Sequence, residues 1–317
     1  VIGPEAPLVA GVADRVREAG FACFGPSEAA SQLEGSKAFA KDVMAAAGVP
    51  TAESSTCRTL DEVEAAMEEF GAPYVIKEDG LANGKGVLVT KDKSAALEHA
   101  KGRETVVVEE FLDGPEVSLF VVTDGTRAVA FPPAQDYKRV GDGDTGPNTG
   151  GMGAYTPLPW APDDLVETVT DTIVTPTLEE MKKRDAEFQG LLYVGLALTA
   201  KGPKVIEFNA RFGDPETQAV LTLNATPLAQ LLHAAANGDI SEYQELEQYP
   251  GAAVAVVMAA NGYPEEPTTG SRIAENQFSS GSVKIFHCGT ARDEEERLVS
   301  ASGRVMSAVG GGGSLKF

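Results

Sequence analysis

Polar and apolar positions alternate most sharply in "KVIEFNAR", residues 204 to 211. Neighbouring side chains of a strand leave on opposite faces. The pleat therefore gives Ile206, Phe208 and Ala210 to one face and sets Glu207, Asn209 and Arg211 in a row on the other. Such a row is costly to bury without a ligand. Helical spacing replaces alternation in "SQLEGSKAFAKDVMAAAGVP", where Leu33, Phe39, Val43 and Met44 suit one amphipathic helix that Gly48 and Pro50 end. Lys37 and Lys41 lie one turn apart on it.

The same reading organises the rest of the chain. Residues 1 to 27 read as a strand end, a helix from about Leu8 to Glu18 and a second short strand, a βαβ-like fragment that begins in mid-domain. A portion preceding Val1 is expected, because a parallel sheet this small would not stand alone. Residues 51 to 110 alternate strands ("TAESSTCR", "PYVIKEDG", "GVLVT", "TVVVEEFL") with helices at Leu60–Phe70 and Lys93–Ala100, a compact α+β unit. Strands follow at "VSLFVVTD", "AVAFPPAQ", "LLYVGLALTA" and "KVIEFNAR", with helices near Pro162–Lys183 and Pro215–Leu223. The last segment has strands at "AAVAVVMAA", "SVKIFHCGT" and "RVMSAVG" among Gly and Pro turns.

Composition narrows this picture modestly. With 317 residues, 43% hydrophobic and 23% charged, the chain can bury a sizeable core in two or three domains. Its 26 basic and 47 acidic residues give a net charge of −21, which disfavours a nucleic-acid or anionic-membrane surface. Any phosphate site must then be local. Cys23, Cys57 and Cys288 are scattered and odd in number, so a reducing, cytoplasmic setting is expected rather than a disulfide framework. His99, His233 and His287 have no second ligand at metal spacing and read as structural or surface residues. No apolar run approaches a membrane span.

Candidate chemistry begins at "VIKEDGLANGKGVLV", residues 75 to 89. Lys77 ends a strand, a turn with Gly80, Gly84 and Gly86 follows, and a strand resumes, so backbone N–H groups could fold over phosphates. The order of a Walker loop is absent. In "VVVEEFLDGPEVS" the strand end at Glu109, Glu110 and Leu112 can offer backbone groups to an adenine edge, and Glu116 a carboxylate to ribose. Glu207 and Asn209 offer hard oxygen ligands of the kind Mg²⁺ takes alongside water and phosphate.

The ordered set GSK (35 to 37), VIK (75 to 77), glycine hairpin, VEEFL (108 to 112), Glu116 and EFN (207 to 209) resembles an ATP-grasp ligase. "IGPEAPL", "QLEGSKAFAKD", "DGLANGKGV", "QDYKRVGDGDTGPNTGGMGAYTP" and "EFNARFGDPETQ" resemble the glycinamide ribonucleotide synthetase family over essentially the whole chain. The resemblance implies a mixed α/β fold of the ATP-grasp type. Residues 1–30 would be a partial N-terminal parallel α/β domain, 31–50 with 111–238 the central domain, 51–110 a lid, and 239–317 a β-rich C-terminal domain. It implies ligation of glycine to 5-phosphoribosylamine with ATP in purine synthesis, through a glycyl phosphate, with Mg²⁺ or Mn²⁺ as cofactor. Lys37, Lys77, Gly80, Gly84, Lys85 and Gly86 would meet the phosphates, Glu109, Glu110 and Leu112 adenine, Glu116 ribose, and Glu207 with Asn209 the metal. Lys77, Arg211 and Asp214 would be catalytic. Glu5, Arg211, Asp214 and the loop residues Asp144, Pro147, Asn148, Thr149, Gly150, Gly151, Met152 and Gly153 would contact glycine or phosphoribosylamine. Partners are then small molecules, with no nucleic acid or membrane, and a monomer or weak dimer is expected.

Departures from the family pattern are the absent opening glycine-rich strand-turn-helix, the end at Phe317, a short stretch around "EHAKGRETV", and Glu78 where a small residue is commoner. Glu78 is expected to point away from the hairpin's phosphate side. Three alternatives are weaker. A carboxyphosphate-forming relative would lack "DTGPNTGGMGAY" and "NARFGDPETQ"; a non-catalytic ATP-binding protein would have lost Lys77, Glu207 or Asn209; an oxidoreductase would need a G-x-G-x-x-G after the first strand.

Overall fold

The structure, a computed structural model, describes residues 1–81, 86–143, 145–274 and 283–315. Two compact units are formed, the first from Val1–Phe131, Ala161–Phe212 and Pro227–Leu246, the second from Pro132–Trp160, Gly213–Thr226 and Glu247–Phe317. The first unit opens with helices α1 (Glu5–Val9) and α2 (Val12–Glu18) where one helix was expected. Gly11 separates them at φ 75°, a left-handed conformation that glycine adopts without penalty. The two flanking extended stretches share one backbone hydrogen bond, from Ile2 N–H to the Phe24 carbonyl, which is too few for the strands expected there.

The amphipathic segment that follows is also two helices, α3 (Gln32–Gly35) and α4 (Lys37–Ala47). Ser36 breaks them: its backbone is extended and its Oγ accepts from the Phe39 N–H, an N-cap that restarts the helix at Lys37. Gly48 closes α4 in the left-handed region, as its position after the apolar run predicts.

Residues 51 to 110 form an antiparallel sheet from β1 (Ser54–Cys57), β2 (Tyr74–Glu78), β3 (Val87–Thr90) and β4 (Val106–Glu109), in the order β1-β4-β2-β3. Helices α5 (Leu60–Phe70) and α6 (Lys93–Ala100) bury Val63, Ala66, Met67 and Ala96 against Ile76, Val106 and Val108. A Thr59–Glu62 capping box starts α5. The main sheet begins with β5 (Glu116–Asp124) and β6 (Ala128–Ala130), after which Pro132 and Pro133 end the expected longer strand.

The chain then supplies β7 (Gln135–Gly141) and β8 (Thr145–Thr156) to the second unit. What was expected as a substrate loop over 144 to 153 is therefore mostly strand: Asn148 pairs with Arg139 and Gly153 with Tyr137, through two register shifts. Back in the first unit, α7 (Leu165–Val169), a π-helical turn (Thr170–Val174) and α8 (Thr175–Lys183) make one continuous helix. Pro176 has no N–H to give the Thr172 carbonyl, and the widened turn immediately precedes it. Strands β9 (Gln189–Thr199) and β10 (Gly202–Asn209) complete the main sheet in the order β10-β9-β5-β6.

Helix α9 (Glu216–Leu223) belongs to the second unit and α10 (Leu228–Ala236) to the first. The second unit is finished by β11 (Ala252–Ala259), β12 (Val283–His287), β13 (Thr290–Arg292), β14 (Leu298–Ser300) and β15 (Arg304–Gly312). Its five-stranded sheet, β12-β15-β11-β8-β7, packs Ala154, Ala253, Ala255 and Val309 against Ala219 and Leu223 of α9. Every ladder between the named strands is antiparallel, an isolated bridge between Thr51 and Val205 is parallel, and all three cysteines are unpaired. No described helix is long and apolar enough to cross a membrane.

Candidate active site

The polar row on β10 depends on a bulge. Val205 pairs with Leu196 and Glu207 with Gly195, so Ile206 is an extra residue without a partner across the ladder. Strict alternation put Ile206 with Phe208 and Ala210; instead Val205, Phe208 and Ala210 are buried and Ile206 is half-buried. From Glu207 onward the predicted faces hold, with Glu207, Asn209 and Arg211 half-exposed. The bulge also turns the Ile206 carbonyl toward Lys77, whose Nζ donates to it at 2.8 Å.

Lys77 is 3% exposed, and its second partner is the equally buried Glu109, at 2.8 Å from Oε2. Oε1 of the same carboxylate lies 3.1 Å from Lys41. The Glu109 side chain thus faces two lysines, which leaves only backbone groups of this strand end to meet the expectation of an adenine contact. Glu110 is turned to Lys204 at 2.7 Å and accepts from the Glu53 N–H. The Lys204 hydrogen bond outweighs partial burial and holds the Glu110 carboxyl below its ordinary range. Leu112 is half-buried and Glu116 stands exposed at the start of β5.

Lys37, the first residue of α4, donates to the Gly80 carbonyl at 2.9 Å. Burial pushes its ammonium down; Glu207 draws it up, and Lys77 adds to the downward push. Lys37, Lys77 and Glu207 therefore share one electrostatic neighbourhood. The hairpin is tied to the same helix by Asp79, which accepts from Ser36 Oγ and the Ala38 N–H at 3.1 to 3.2 Å. An anion is favoured at that helix end. Gly86 is buried, whereas Gly84 and Lys85 lie outside the described residues. Glu78 stands on the face opposite Lys77 and pairs with Arg103 at 3.0 Å.

Beyond the row, Arg211 is held by Glu34 at 3.0 Å and Glu5 at 3.4 Å, and reaches Asn209 Oδ1 at 3.5 Å. Glu34 also accepts from the Ala210 N–H at 2.7 Å. Burial pushes the Glu34 carboxyl up to about 7 although Arg211 and the Ala210 N–H pull it down; Glu5 and Glu207 add to the rise. Lys41 and Glu34 escaped the sequence reading of function although both sit in "QLEGSKAFAKD". The available signal was a lysine, Lys41, next to the apolar Val43 and Met44 of the same helix.

The metal question turns on donor chemistry. Among the described residues no three His, Cys, Asp or Glu side chains gather as a metal group. One carboxylate and one carboxamide, two residues apart, nevertheless suit Mg²⁺, which binds few protein oxygens and keeps water and phosphate in its shell. The histidines do not contribute: His99 faces the Gly86 carbonyl, His233 Asn237 and His287 Thr290.

In the second unit the predicted substrate residues gather around an arginine that sequence reasoning missed. Arg304 on β15 reaches the Gly150 carbonyl at 2.9 Å and Asp214 Oδ1 at 3.1 Å. Tyr263 accepts from the Gly150 N–H, and Thr149 Oγ1 donates to the Lys138 carbonyl. Gly151 adopts φ 118°, and a Cβ there would meet Pro215 at 2.6 Å and the Asp214 carbonyl at 3.0 Å. Met152 and Gly153 continue β8, Pro147 and Asn148 are exposed on it, and Asp144 lies outside the described residues.

Residues 1–34, 35–217 and 253–316 match, in turn, the N domain, the ATP-grasp (A) domain and the C domain of phosphoribosylglycinamide synthetase. The chain belongs to the phosphoribosylglycinamide synthetase family. A phosphoribosylamine–glycine ligase of Streptomyces coelicolor is 58% identical over 319 residues, covering 99% of this chain and 76% of that protein. One from Mycobacterium tuberculosis is 53% identical over 324 residues, with the same coverage. The crystal structure of the Thermotoga maritima phosphoribosylamine–glycine ligase superposes with a TM-score of 0.83 at 37% identity, over 92% of this chain and 74% of that one. Biotin carboxylase from Campylobacter jejuni, at 16% identity and a TM-score of 0.76, covers 99% of this chain and 70% of its own, and shares the fold. The synthetase family thus accounts for the ATP-grasp architecture.

Proposed function

We propose that this chain is an ATP-dependent ligase that joins glycine to 5-phosphoribosylamine, giving glycinamide ribonucleotide, ADP and phosphate in de novo purine synthesis. The observation that carries this reading is the electrostatic coupling of Lys37 and Lys77 to the Glu207 strand in a chain that matches the synthetase family through its N, A and C domains.

Lys37 and Lys77 bind triphosphate oxygens, the 79 to 87 hairpin covers them, the backbone of Glu109 to Leu112 frames adenine, and Glu116 takes ribose hydroxyls. Fixed ammonium groups stabilise charge spread over a transferring phosphoryl group. Glu207 and Asn209 would hold Mg²⁺ or Mn²⁺, which when bound neutralises phosphate charge. A glycine carboxylate oxygen attacks the γ-phosphorus, the bond to the β–γ bridging oxygen breaks, and ADP leaves. The amine of phosphoribosylamine then attacks the carbonyl of the glycyl phosphate, phosphate departs, and the nitrogen loses a proton. Arg211, supported by Glu5 in the first unit, contacts glycine or the amine; Asp214 and the 144 to 153 segment of the second unit are likewise assigned to substrate. The 51 to 110 subdomain keeps water from the acyl phosphate. The substrates are small molecules; the enzyme works in the cytoplasm as a monomer or weak dimer.

The test is ADP release with glycine, other amino acids or bicarbonate, each with and without phosphoribosylamine. Release and product formation are expected only with glycine and phosphoribosylamine together. Bicarbonate-dependent release without either would replace this reading with a carboxyphosphate-forming one.

A further inference from the structure

Lys41 has no role in the chemistry above, yet it is 9% exposed and belongs to a network that joins four elements. Its Nζ lies 3.1 Å from Glu109 Oε1 on β4 and donates to Thr51 Oγ1 at 2.9 Å and the Ala52 carbonyl at 3.0 Å. Those three contacts use its three N–H bonds, so Lys41 has none left for a ligand. Thr51 in turn donates to the Val205 carbonyl, next to the bulge on β10.

Lys77 is differently placed. Glu109 Oε2 and the Ile206 carbonyl take two of its N–H bonds, and the third has no partner among the described residues. Two ammonium groups share the Glu109 carboxylate, so Glu109 alone cannot neutralise both where both lysines are more than nine-tenths buried. A buried, uncompensated charge is costly. An incoming anion relieves that cost. Were position 41 apolar, Glu109 and Lys77 would close into a neutral pair, and the free N–H of Lys77 would lose most of its pull on phosphate.

We propose that Lys41 is a positioning residue for the triphosphate, which by occupying one oxygen of Glu109 keeps that carboxylate from fully neutralising Lys77 and so sets the preference of the site for a nucleotide over a nucleoside. This rests on Lys77 facing the phosphates. Removing one buried charge within the network should change that preference about tenfold. Burial pushes the Lys41 ammonium down to about 8, against the pull of Glu109, with Lys77 adding to the fall and Glu110 opposing it. The preference should then fade as pH rises through about 8, because Lys41 becomes neutral there.

Calorimetric titration of the 317-residue chain with MgATP and with adenosine separates the possibilities. Lys41→Met is expected to weaken MgATP about tenfold and leave adenosine within about twofold, while Lys41→Arg keeps the preference. If Lys77→Met loses the preference and Lys41→Met does not, the role of Lys41 is refuted and the phosphate reading of Lys77 stands. If Lys77→Met keeps it, that reading fails and the inference with it. Should Lys41→Met not fold, the pH profile decides: the preference of the native chain must fall between about pH 7 and 9 more steeply than that of Lys41→Arg, and parallel profiles overturn the proposal. Lys37 also titrates low, but it is present in both proteins and cancels from the comparison.

Discussion

The Lys77 ammonium meets the Ile206 carbonyl oxygen at 2.8 Å, joining positions 129 residues apart. Lys77, proposed above to bind phosphate, is thereby registered against the strand that carries Glu207 and Asn209. Lys77→Met should lower turnover by about a hundredfold or more while adenosine binding changes little, since the lost charge acts on the phosphoryl group. Steady-state kinetics beside adenosine titration checks this; an equal loss in both would make Lys77 structural.

Glu207→Gln keeps the shape of the side chain and removes its charge. Turnover at saturating Mg²⁺ should drop about a hundredfold, and Asn209→Ala, which removes a neutral donor, should cost less. Magnesium titrations of activity in both variants provide the measurement. Near-normal activity of Glu207→Gln would sink the metal assignment.

Arg304 holds Gly150 and Asp214 within the second unit. Arg304→Met should raise the KM for glycine or phosphoribosylamine about tenfold through misplacement of these groups, with the KM for ATP within about twofold. A rise confined to ATP would contradict the assignment of this segment to substrate.

Glu34 carries a pH signature. Its carboxyl titrates at about 7 in the folded chain against an ordinary 4.5, so between these values the folded state holds a proton that the unfolded chain has released. The stability this contributes is complete below about 4.5 and is lost as pH rises through about 7. Relative to the native chain, Glu34→Gln should gain on the order of 3 kcal/mol between about pH 4.5 and 7.5. Denaturant unfolding across that range measures it, and parallel stability curves would show that Glu34 keeps an ordinary pKa.

How much of this was legible beforehand depended on the range of the interaction. The polar row on β10, the Gly48 stop of α4 and the helix–strand order of 51 to 110 rest on local periodicity and were readable. Ser36 and Gly11 were misread as helix interior because an N-cap serine and a left-handed glycine look like ordinary polar or small positions in an apolar repeat. The strand character of Thr145–Thr156 was hidden by its glycines, whose pairing with β7 is a tertiary matter. Lys41 could be placed on a helix face, but its partner Glu109 lies far along the chain, and no spacing rule connects them. The bulge at Ile206 left no mark in the alternation of the letters.

A chain one residue shorter at that point would make the more regular sheet. Deleting Ile206 would bring the Val205–Leu196 pair directly beside the Glu207–Gly195 pair and leave Glu207, Phe208 and Asn209 on the faces they already occupy. The strand would lose nothing it needs to pair. What would vanish is the carbonyl that meets Lys77. This strand thus carries one residue more than its ladder needs, and a deletion that simplified the ladder would leave Lys77 held by Glu109 alone.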